Sequence, residues 1–331
     1  METLIDILSH RREHGSEGVK VFTEKYLSEA TEIKNKQGEV LAYMIDNRKE
    51  GQKTQVLWSS HIDTMHRQKP TELYQDVWMD VEGIAFVGAE CDCLGADDGA
   101  GVWLMLEMAK AGVAGVFMFH VGEEKGCIGS KQIAKNYVDF LSTFTHAIAF
   151  DRRGTTSIIT HQMGGRAASD AFGKQFAILL NMGHELDPTG VYTDTAEYMD
   201  IVPECLNVSI GYESEHGSKE SLDTNYVLKL RDAMLAVDWE NTLLVVDRDP
   251  AAEPDYGWGS FGHSYSNSYG YDSITSAELA KATVNDIEAW VAESDATSVA
   301  FTIIDLVDEI AELEYTVRQL RASAKAERNQ I

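Results

Sequence analysis

Short apolar runs with strand character alternate with helical runs along most of this chain, and this alternation limits the fold more than any other feature. Continuous apolar strands are typical of a parallel sheet that is covered on both faces. Strands that alternate with helices predict an α/β domain of that kind. The strand-like runs cover residues 56–60, 113–121, 146–150 and 206–210, and the helical runs cover residues 100–111, 169–182 and 223–237.

The N-terminal part of the chain adds two helices and two hairpins to this pattern. Apolar residues at helical spacing predict helices at residues 1–9 and 19–30. Alternating segments interrupted by turn residues predict hairpins at residues 31–45 and 78–87.

The charge balance argues against nucleic acid as a partner. The 331 residues carry 54 acidic and 28 basic side chains, a net charge of −26, and such a surface would repel a phosphate backbone. It can attract cationic or amino-bearing substrates, although solubility explains the charge at least as well.

No segment predicts secretion or membrane insertion. Charged side chains interrupt residues 1–20, so an apolar signal core is lacking, and no apolar run approaches the length of a membrane span. Four cysteines in a chain of this length do not suggest a disulfide framework. We therefore expect a cytoplasmic protein.

Charged side chains follow the predicted strands, at the edge of the sheet where α/β proteins bind ligands. His61 and Asp63 lie two residues apart at the end of one strand, so both side chains can point to the same face. A metal-bound imidazole usually donates its other N–H to an acceptor, often a carboxylate. A simple hydrogen-bonded pair at a strand end is the alternative.

Two pairs of adjacent carboxylates are more specific. Asp97 and Asp98 stand between small residues just before a buried helix, where they repel each other unless a cation compensates; capping of the helix is the alternative. Glu123 and Glu124 follow a buried strand, where a solvated surface pair is unfavourable. One of these glutamates can bind a metal while the other accepts a proton from water, as general-base hydrolysis requires.

Two further candidate ligands, Asp151 and His216, also follow predicted strands. Either residue alone would be ordinary in a loop. With His61, Asp97 and Glu124 they give two imidazoles and three carboxylates, the mixed nitrogen and oxygen donors that suit catalytic zinc.

In chain order, the motifs His-x-Asp, Gly-Ala-Asp-Asp, Glu-Glu, Asp and His resemble the di-zinc exopeptidase clan, which includes bacterial leucyl aminopeptidase, peptidase T and glutamate carboxypeptidase. The resemblance covers roughly residues 19–239. It implies a three-layer α/β/α sandwich with a central mixed, mostly parallel sheet, to which this chain adds a C-terminal helical extension. It also implies a peptide or amino-acid amide substrate.

The resemblance implies a role for each ligand. Asp97 would bridge two zinc ions. His61 and Asp151 would complete one site, and Glu124 and His216 would complete the other.

The same resemblance assigns the catalytic residues. Glu123 would be the general base, and Asp63 would orient His61. The peptide bond between Asp97 and Asp98 would be cis.

Within the clan, the chain resembles the aminopeptidase branch that has no lid domain. Carboxypeptidase and peptidase T members insert a lid or dimerisation domain between the fourth and fifth ligands, whereas the interval from Asp151 to His216 holds only the helix, turn and strand that the core needs. Loop residues around Asp194 resemble this branch near its substrate pocket. We expect Asp194, Asp98 and His161 to bind substrate.

The composition changes after Trp239, so we place the catalytic domain at residues 1–240. Residues 241–275 are rich in Gly, Ser, Tyr and Asp, as linkers and loops are. Residues 276–331 predict a helical extension whose second helix has heptad spacing. That helix either forms a coiled coil and a homo-oligomer or packs on its own domain.

We predict a zinc-dependent exopeptidase of the aminopeptidase type. A di-metal deacylase acting on N-acyl amino acids is the nearest alternative, because the ligands do not encode what flanks the scissile bond. A non-catalytic interaction protein with a peptidase fold is an alternative from another class, and the intact ligand set argues against it.

Overall fold

The computed structural model describes residues 1–67, 72–163 and 165–251. Most of the predicted linker at 241–275, and the whole predicted helical extension at 276–331 with its coiled-coil alternative, lie outside these residues. Across the described residues, every helix is too short or too polar to cross a membrane.

The described residues contain seven α-helices and fourteen strands. The helices are α1 Glu2–Ser9, α2 Glu17–Tyr26, α3 Ala96–Lys110, α4 Ile128–Asn136, α5 Val138–Leu141, α6 Asp170–Leu180 and α7 Thr224–Ala236. The strands are β1 Thr31–Lys34, β2 Val40–Asp46, β3 Val56–His61, β4 Val77–Met79, β5 Ile84–Val87, β6 Val116–His120, β7 His146–Arg152, β8 Ser157–Ile159, β9 His161–Gln162, β10 Gly165–Arg166, β11 Glu185–Asp187, β12 Glu204–Ser209, β13 Tyr212–Glu213 and β14 Ser221–Asp223. Two 3-10 turns, Glu123–Lys125 and Asp194–Tyr198, follow β6 and β11.

A mixed sheet of eight strands is the centre of the described fold, in the order β1, β2, β6, β3, β7, β12, β8, β11. The four middle strands β6, β3, β7 and β12 are parallel to one another. Their carboxyl ends therefore meet at one edge of the sheet, which is where ligands bind in such folds. A smaller antiparallel sheet joins β13, β14, β5 and β4.

Side chains on the middle strands alternate between two separate hydrophobic cores. On β3, Val56 and Trp58 enter the core that also receives α1, α3, α6 and α7, whereas Leu57 enters the core on the opposite face with α4. Successive strand residues point to opposite faces, so a strand that is covered on both sides must be apolar throughout. This burial explains the continuous apolar runs of the sequence and gives the three-layer α/β/α sandwich that was predicted.

Both predicted hairpins are present, as the antiparallel pairs β1–β2 and β4–β5. The edge strand β11 and its neighbour β8 were not predicted. Each is three residues long, and two of the three residues of β11 are charged, so neither has enough apolar residues to give a strand pattern.

The chain after α7 packs against the rest of the described fold. Leu244 is buried in the core with α6 and α7, and Arg248 donates to the carbonyl oxygens of Met199 and Pro203 at 2.8 and 2.9 Å. The backbone N–H groups of Asp247 and Arg248 both donate to the buried Glu204 carboxylate. The packed segment therefore extends past residue 240, the predicted limit of the domain.

Candidate metal centre

His61 is the last residue of β3, and its imidazole is fully buried at the carboxyl edge of the sheet. Its Nδ1 donates to the backbone carbonyl of Asp63 at 2.9 Å. This bond leaves the lone pair of Nε2 free, as a metal ligand requires. Nε2 lies 3.0 Å from Asp97 Oδ1 and 3.6 Å from Asp151 Oδ1.

A buried carboxylate holds the loop that carries Asp97. Glu220 accepts hydrogen bonds from the backbone N–H groups of Leu94, Gly95 and Asp97 at 2.9 to 3.0 Å. Gly95 has a positive φ of 72°, which glycine adopts without steric cost. Burial raises the pKa of Glu220 to about 7.

Asp98 anchors the start of α3 rather than facing the cavity. Its side chain is fully buried and accepts from the backbone N–H of His61 at 3.2 Å and of Gly101 at 3.1 Å. The Asp97–Asp98 peptide bond is cis, as the resemblance implied. A Cβ at Gly101 would overlap the carbonyl oxygen of Phe150, so only glycine lets the helix approach this closely.

The turn that carries Glu123 and Glu124 is held by Asp63. The Asp63 carboxylate accepts from the backbone N–H groups of Gly122, Glu123 and Glu124 at 2.8, 3.2 and 3.3 Å. Asp63 was expected to orient His61; it does bond to that imidazole, but through its backbone carbonyl. Its carboxylate fixes the glutamate turn instead.

Two hydroxyl groups orient the Asp151 carboxylate. Thr193 donates to Oδ2 at 2.7 Å and Tyr212 donates to Oδ1 at 3.2 Å. The Asn207 side chain bonds to both the backbone N–H and the carbonyl of Asp151, which fixes the end of β7. Such hydrogen bonds hold a carboxylate ligand in one orientation.

His216 completes the cluster from the loop after β13, with a positive φ of 65°. Its Nε2 lies 3.1 Å from Asp97 Oδ2 and 3.2 Å from Glu124 Oε2. The side chain is 46% exposed, so this imidazole forms the open wall of the candidate centre.

Two groups of side chains can each hold a metal ion. They are His61 with Asp97 and Asp151, and Asp97 with Glu124 and His216. Asp97 belongs to both groups, and its two oxygen atoms face different imidazoles.

The electrostatics of the cluster fit cations. Although burial raises the pKa of Asp97, hydrogen bonds from His216 and His61 lower it well below the usual range. The same bonds to Asp97 and Glu124 raise the pKa of His216 to about 11. Glu124 Oε1 is buried and has no hydrogen-bond partner. Buried carboxylates with an unsatisfied oxygen and two facing imidazoles are a donor set that zinc satisfies.

A cavity of about 320 Å³ opens beside the metal centre. Asp97, Glu123, Asp151 and His216 line one part of it, and Glu123 belongs to neither metal-ligand group. Burial raises the pKa of Glu123 well above the usual carboxyl range.

None of the three residues that were expected to bind substrate lines this cavity. Asp98 is buried behind it, and Asp194 is buried and accepts from Ser130 at 2.5 Å. His161 contacts Thr160 through Nδ1 at 3.0 Å. The next residue, Gln162, lines the cavity instead.

Sequence reasoning missed several residues that support the centre: Asn207, Tyr212 and Glu220. Glu220 follows the ligand His216 by four residues, but no local pattern separates it from the other acidic residues of a chain this acidic.

The fold and the donor set together define the class of this protein: an α/β domain of the zinc exopeptidase type, with two candidate metal-ligand groups at the carboxyl edge of its sheet. Residues 41–198 match Peptidase family M28. This match covers a little less than half of the chain, and that segment is similar to the family. The matched segment contains His61, Asp97, Glu124 and Asp151, and His216 follows it.

Solved aminopeptidases share the fold at low sequence identity. PepT from Bacillus cereus has a TM-score of 0.58 at 14% identity, covering 72% of this chain and 97% of that chain. An aminopeptidase from the archaeon Desulfurococcus kamchatkensis has a TM-score of 0.52 at 15% identity, covering 73% and 96%. LapA aminopeptidase from Legionella pneumophila has a TM-score of 0.51 at 15% identity, covering 75% and 70%. No curated protein matches the sequence.

Proposed function

We propose that this chain is an aminopeptidase-like exopeptidase that uses two zinc ions, with Asp97 as the bridging ligand. One observation carries the proposal: the two carboxylate oxygens of Asp97 lie 3.0 and 3.1 Å from the Nε2 atoms of His61 and His216. A carboxylate between two imidazoles, one at a strand end and one on a loop, is suited to two neighbouring cations. His61 and Asp151 would hold one ion, and Glu124 and His216 the other.

Zinc in such a site lowers the pKa of water towards 7 and polarises a carbonyl group. The protein has to supply a base for the water proton, and Glu123 suits that role. It lines the cavity and its carboxylate accepts no hydrogen bond from backbone N–H among the described residues. Its Oε2 lies 3.9 Å from His61 Nε2, beside the metal ligands but outside both ligand groups.

Glu123 would accept a proton from the attacking water and deliver it to the leaving amine. Both transfers are helped by a carboxylate whose pKa is raised above the ordinary carboxyl value, and burial has that effect on Glu123. The base must also keep its position between the two transfers. The bond from its N–H to Asp63 and a contact of 3.7 Å from the Cys127 thiol to its Oε1 restrain it.

The first test combines substitution with metal analysis. In Glu123→Gln and Glu123→Ala, zinc content should match the parent protein, because Glu123 is not a ligand. Turnover of aminoacyl reporters should fall by about 10²–10⁴-fold. Glu185→Gln on the edge strand β11 is the matched control and should retain activity. Substantial turnover in both Glu123 variants would refute the assignment of the base.

A hydrolysis panel separates the proposed activity from a deacylase on the same scaffold. The aminopeptidase proposal predicts hydrolysis of free-amine aminoacyl substrates, loss of activity with chelator and recovery on zinc add-back. Hydrolysis restricted to N-acyl amino acids would favour the deacylase. A purified protein that binds no zinc would favour the interaction protein.

The predicted cytoplasmic location and self-association through the C-terminal helix belong to the same proposal. Fractionation of the native host tests the location. The solution mass of the full chain, compared with a chain that ends at residue 297, tests self-association, and equal protomer numbers in both would contradict it.

A further inference from the structure

The cavity beside the metal centre has a polar part that the hydrolytic chemistry does not use. It extends across the sheet from β7 towards the edge strand β11. In register, Asn207 of β12 lies opposite Ile159 of β8, which lies opposite Asp187 of β11. The side chain of Arg152, at the end of β7, reaches across these strands to β11. Its Nη2 contacts Asp187 Oδ2 at 3.4 Å and Thr189 Oγ1 at 3.1 Å.

Gln162 is the most unusual side chain in this part of the cavity. It is 1% exposed, it lines the cavity, and neither its Oε1 nor its Nε2 has a hydrogen-bond partner among the described residues. A buried amide without partners is unfavourable, because each unsatisfied group has lost the hydrogen bonds that it made with water. Its Oε1 lies close to the backbone of Gly190, where an added Cβ would be only 2.9 Å away.

Two guanidinium groups lie in the same cavity. Arg152 and Arg153 both line it, and the buried Nε of Arg152 has no hydrogen-bond partner. Arg153 contacts Glu215 through Nη1 at 3.3 Å. Each arginine is therefore anchored by a carboxylate through one nitrogen, which leaves other N–H groups for a ligand.

We propose that Arg152 and Gln162 form a subsite that binds a carboxylate of the substrate, within the active site of the proposed exopeptidase. This inference rests on the proposed function for the bond that is cleaved, and it adds the substrate class. The carboxylate is either an acidic side chain on the residue that is released or the free C-terminus of a short peptide.

The balance of donors favours a carboxylate over a neutral group. Arg152 Nε and the NH₂ group of Gln162 offer three unused N–H groups, whereas the unused acceptors here are Gln162 Oε1 and Glu215 Oε2. A carboxylate accepts from several donors at once, and hydrogen bonds from a guanidinium to it are about twice as strong as neutral ones. An apolar side chain would leave all of these groups unsatisfied. Sites that are built to hydrogen-bond a substrate group discriminate strongly against substrates that lack it.

Two substrate pairs separate the two sources of the carboxylate. Glutamyl-p-nitroanilide and glutaminyl-p-nitroanilide differ only in the charge of the side chain. Alanyl-alanine and alanyl-alanine amide differ only at the C-terminus. We expect kcat/KM to favour the charged member of one pair by about tenfold or more, and that pair identifies the source.

Gln162→Met and Arg152→Met should each abolish this preference. Arg152→Met should fold, because Asp187 keeps hydrogen bonds from Ser157 and Thr189. Arg48→Met is the matched control: Arg48 pairs with Asp46 and does not line the cavity, so the preference should persist. Equal kcat/KM within both pairs, or a preference that either cavity variant leaves unchanged, would overturn the subsite.

Binding measurements keep this test independent of catalysis. Calorimetry of the zinc-loaded protein compares glutamate with glutamine, and alanine with alaninamide. The subsite is supported if the charged ligand of a pair binds more tightly than the neutral one and if both cavity variants remove that difference. Equal affinities within both pairs overturn it. If no substrate is hydrolysed, the proposed function fails while this binding result still decides the subsite.

Discussion

Asp63→Asn separates two roles for a residue that sits beside a metal ligand. The Nδ1 atom of His61 donates to the backbone carbonyl of Asp63, which the substitution leaves in place. The carboxylate accepts three backbone N–H groups of the glutamate turn: Oδ1 accepts from Gly122 and Glu123, and Oδ2 accepts from Glu124. An asparagine can keep the first two bonds through its carbonyl oxygen. At the position of Oδ2, its NH₂ group would face the backbone N–H of Glu124, which is also a donor.

The loss is therefore one charge-assisted hydrogen bond in a buried position, about 2 kcal/mol. For a domain of this size, that corresponds to a fall in Tm of roughly 4–8 °C. Displacement of the glutamate turn should cost more in catalysis, because a misplacement of about 1 Å at a reacting group can lower the rate by about 10²-fold. The imidazole of His61 should stay in place.

Differential scanning calorimetry of the metal-free protein, zinc titration and steady-state kinetics measure the three effects. We expect a lower Tm and a lower kcat, with KM changed little. Asp46→Asn, at an exposed carboxylate that pairs with Arg48, is the control for loss of a negative charge. Parent-like Tm and kcat in Asp63→Asn would refute the reasoning that its carboxylate holds the turn.

Three further predictions concern the surroundings of the centre. Thr193→Val removes a donor to Asp151 at 2.7 Å, so zinc affinity in a chelator competition should fall about 10–100-fold and Thr193→Ser should retain it. Gly101→Ala forces a methyl group onto the carbonyl oxygen of Phe150, so the unfolding free energy should fall by about 3 kcal/mol, and an unchanged denaturation midpoint would contradict this packing. Burial lowers the pKa of His146 to about 4, below the value of about 6.5 expected in the unfolded chain. The stability that neutral His146 contributes is therefore complete above pH 6.5 and is lost as the pH falls towards 4. Between pH 7.5 and 5, the unfolding free energy of the metal-free protein should fall by about 2 kcal/mol through this residue. Urea unfolding of His146→Gln should not show that fall.

Much of the fold could be predicted because the sequence changes from apolar to polar or charged residues where a buried strand ends. On β3 and β6 the apolar run stops where the strand leaves the sheet, at His61 and after His120. Parallel pairing brings those ends to one edge, so the separate motifs could be expected to meet. Strands β8 and β11 were not predicted, because a strand of three residues is too short to carry such a run.

The supporting contacts could not be predicted, because they depend on which loops pack together. Glu220 bonds to a loop more than one hundred residues earlier in the chain. Its partners are backbone N–H groups, which every residue except proline has, so no residue type signals the pairing. Gln162 was missed for the related reason that its lack of partners exists only once the cavity has formed.

Hydrogen bonding sorts the buried carboxylates of this region by role. Asp63, Asp98 and Glu220 each accept two or more backbone N–H groups. These hydrogen bonds let the three side chains hold the loops together without a cation.

Asp97, Glu124 and Asp151 accept none of these backbone bonds among the described residues, and their oxygens face imidazoles or hydroxyl groups instead. Burial without backbone donors is unfavourable for a carboxylate, and a metal ion relieves that cost. Glu123 differs from both sets, because its carboxylate meets only a thiol donor and a distant imidazole. A carboxylate that neither the backbone nor the ligand geometry stabilises in its charged form has a high affinity for protons, and that is the property a general base needs beside ionisable water.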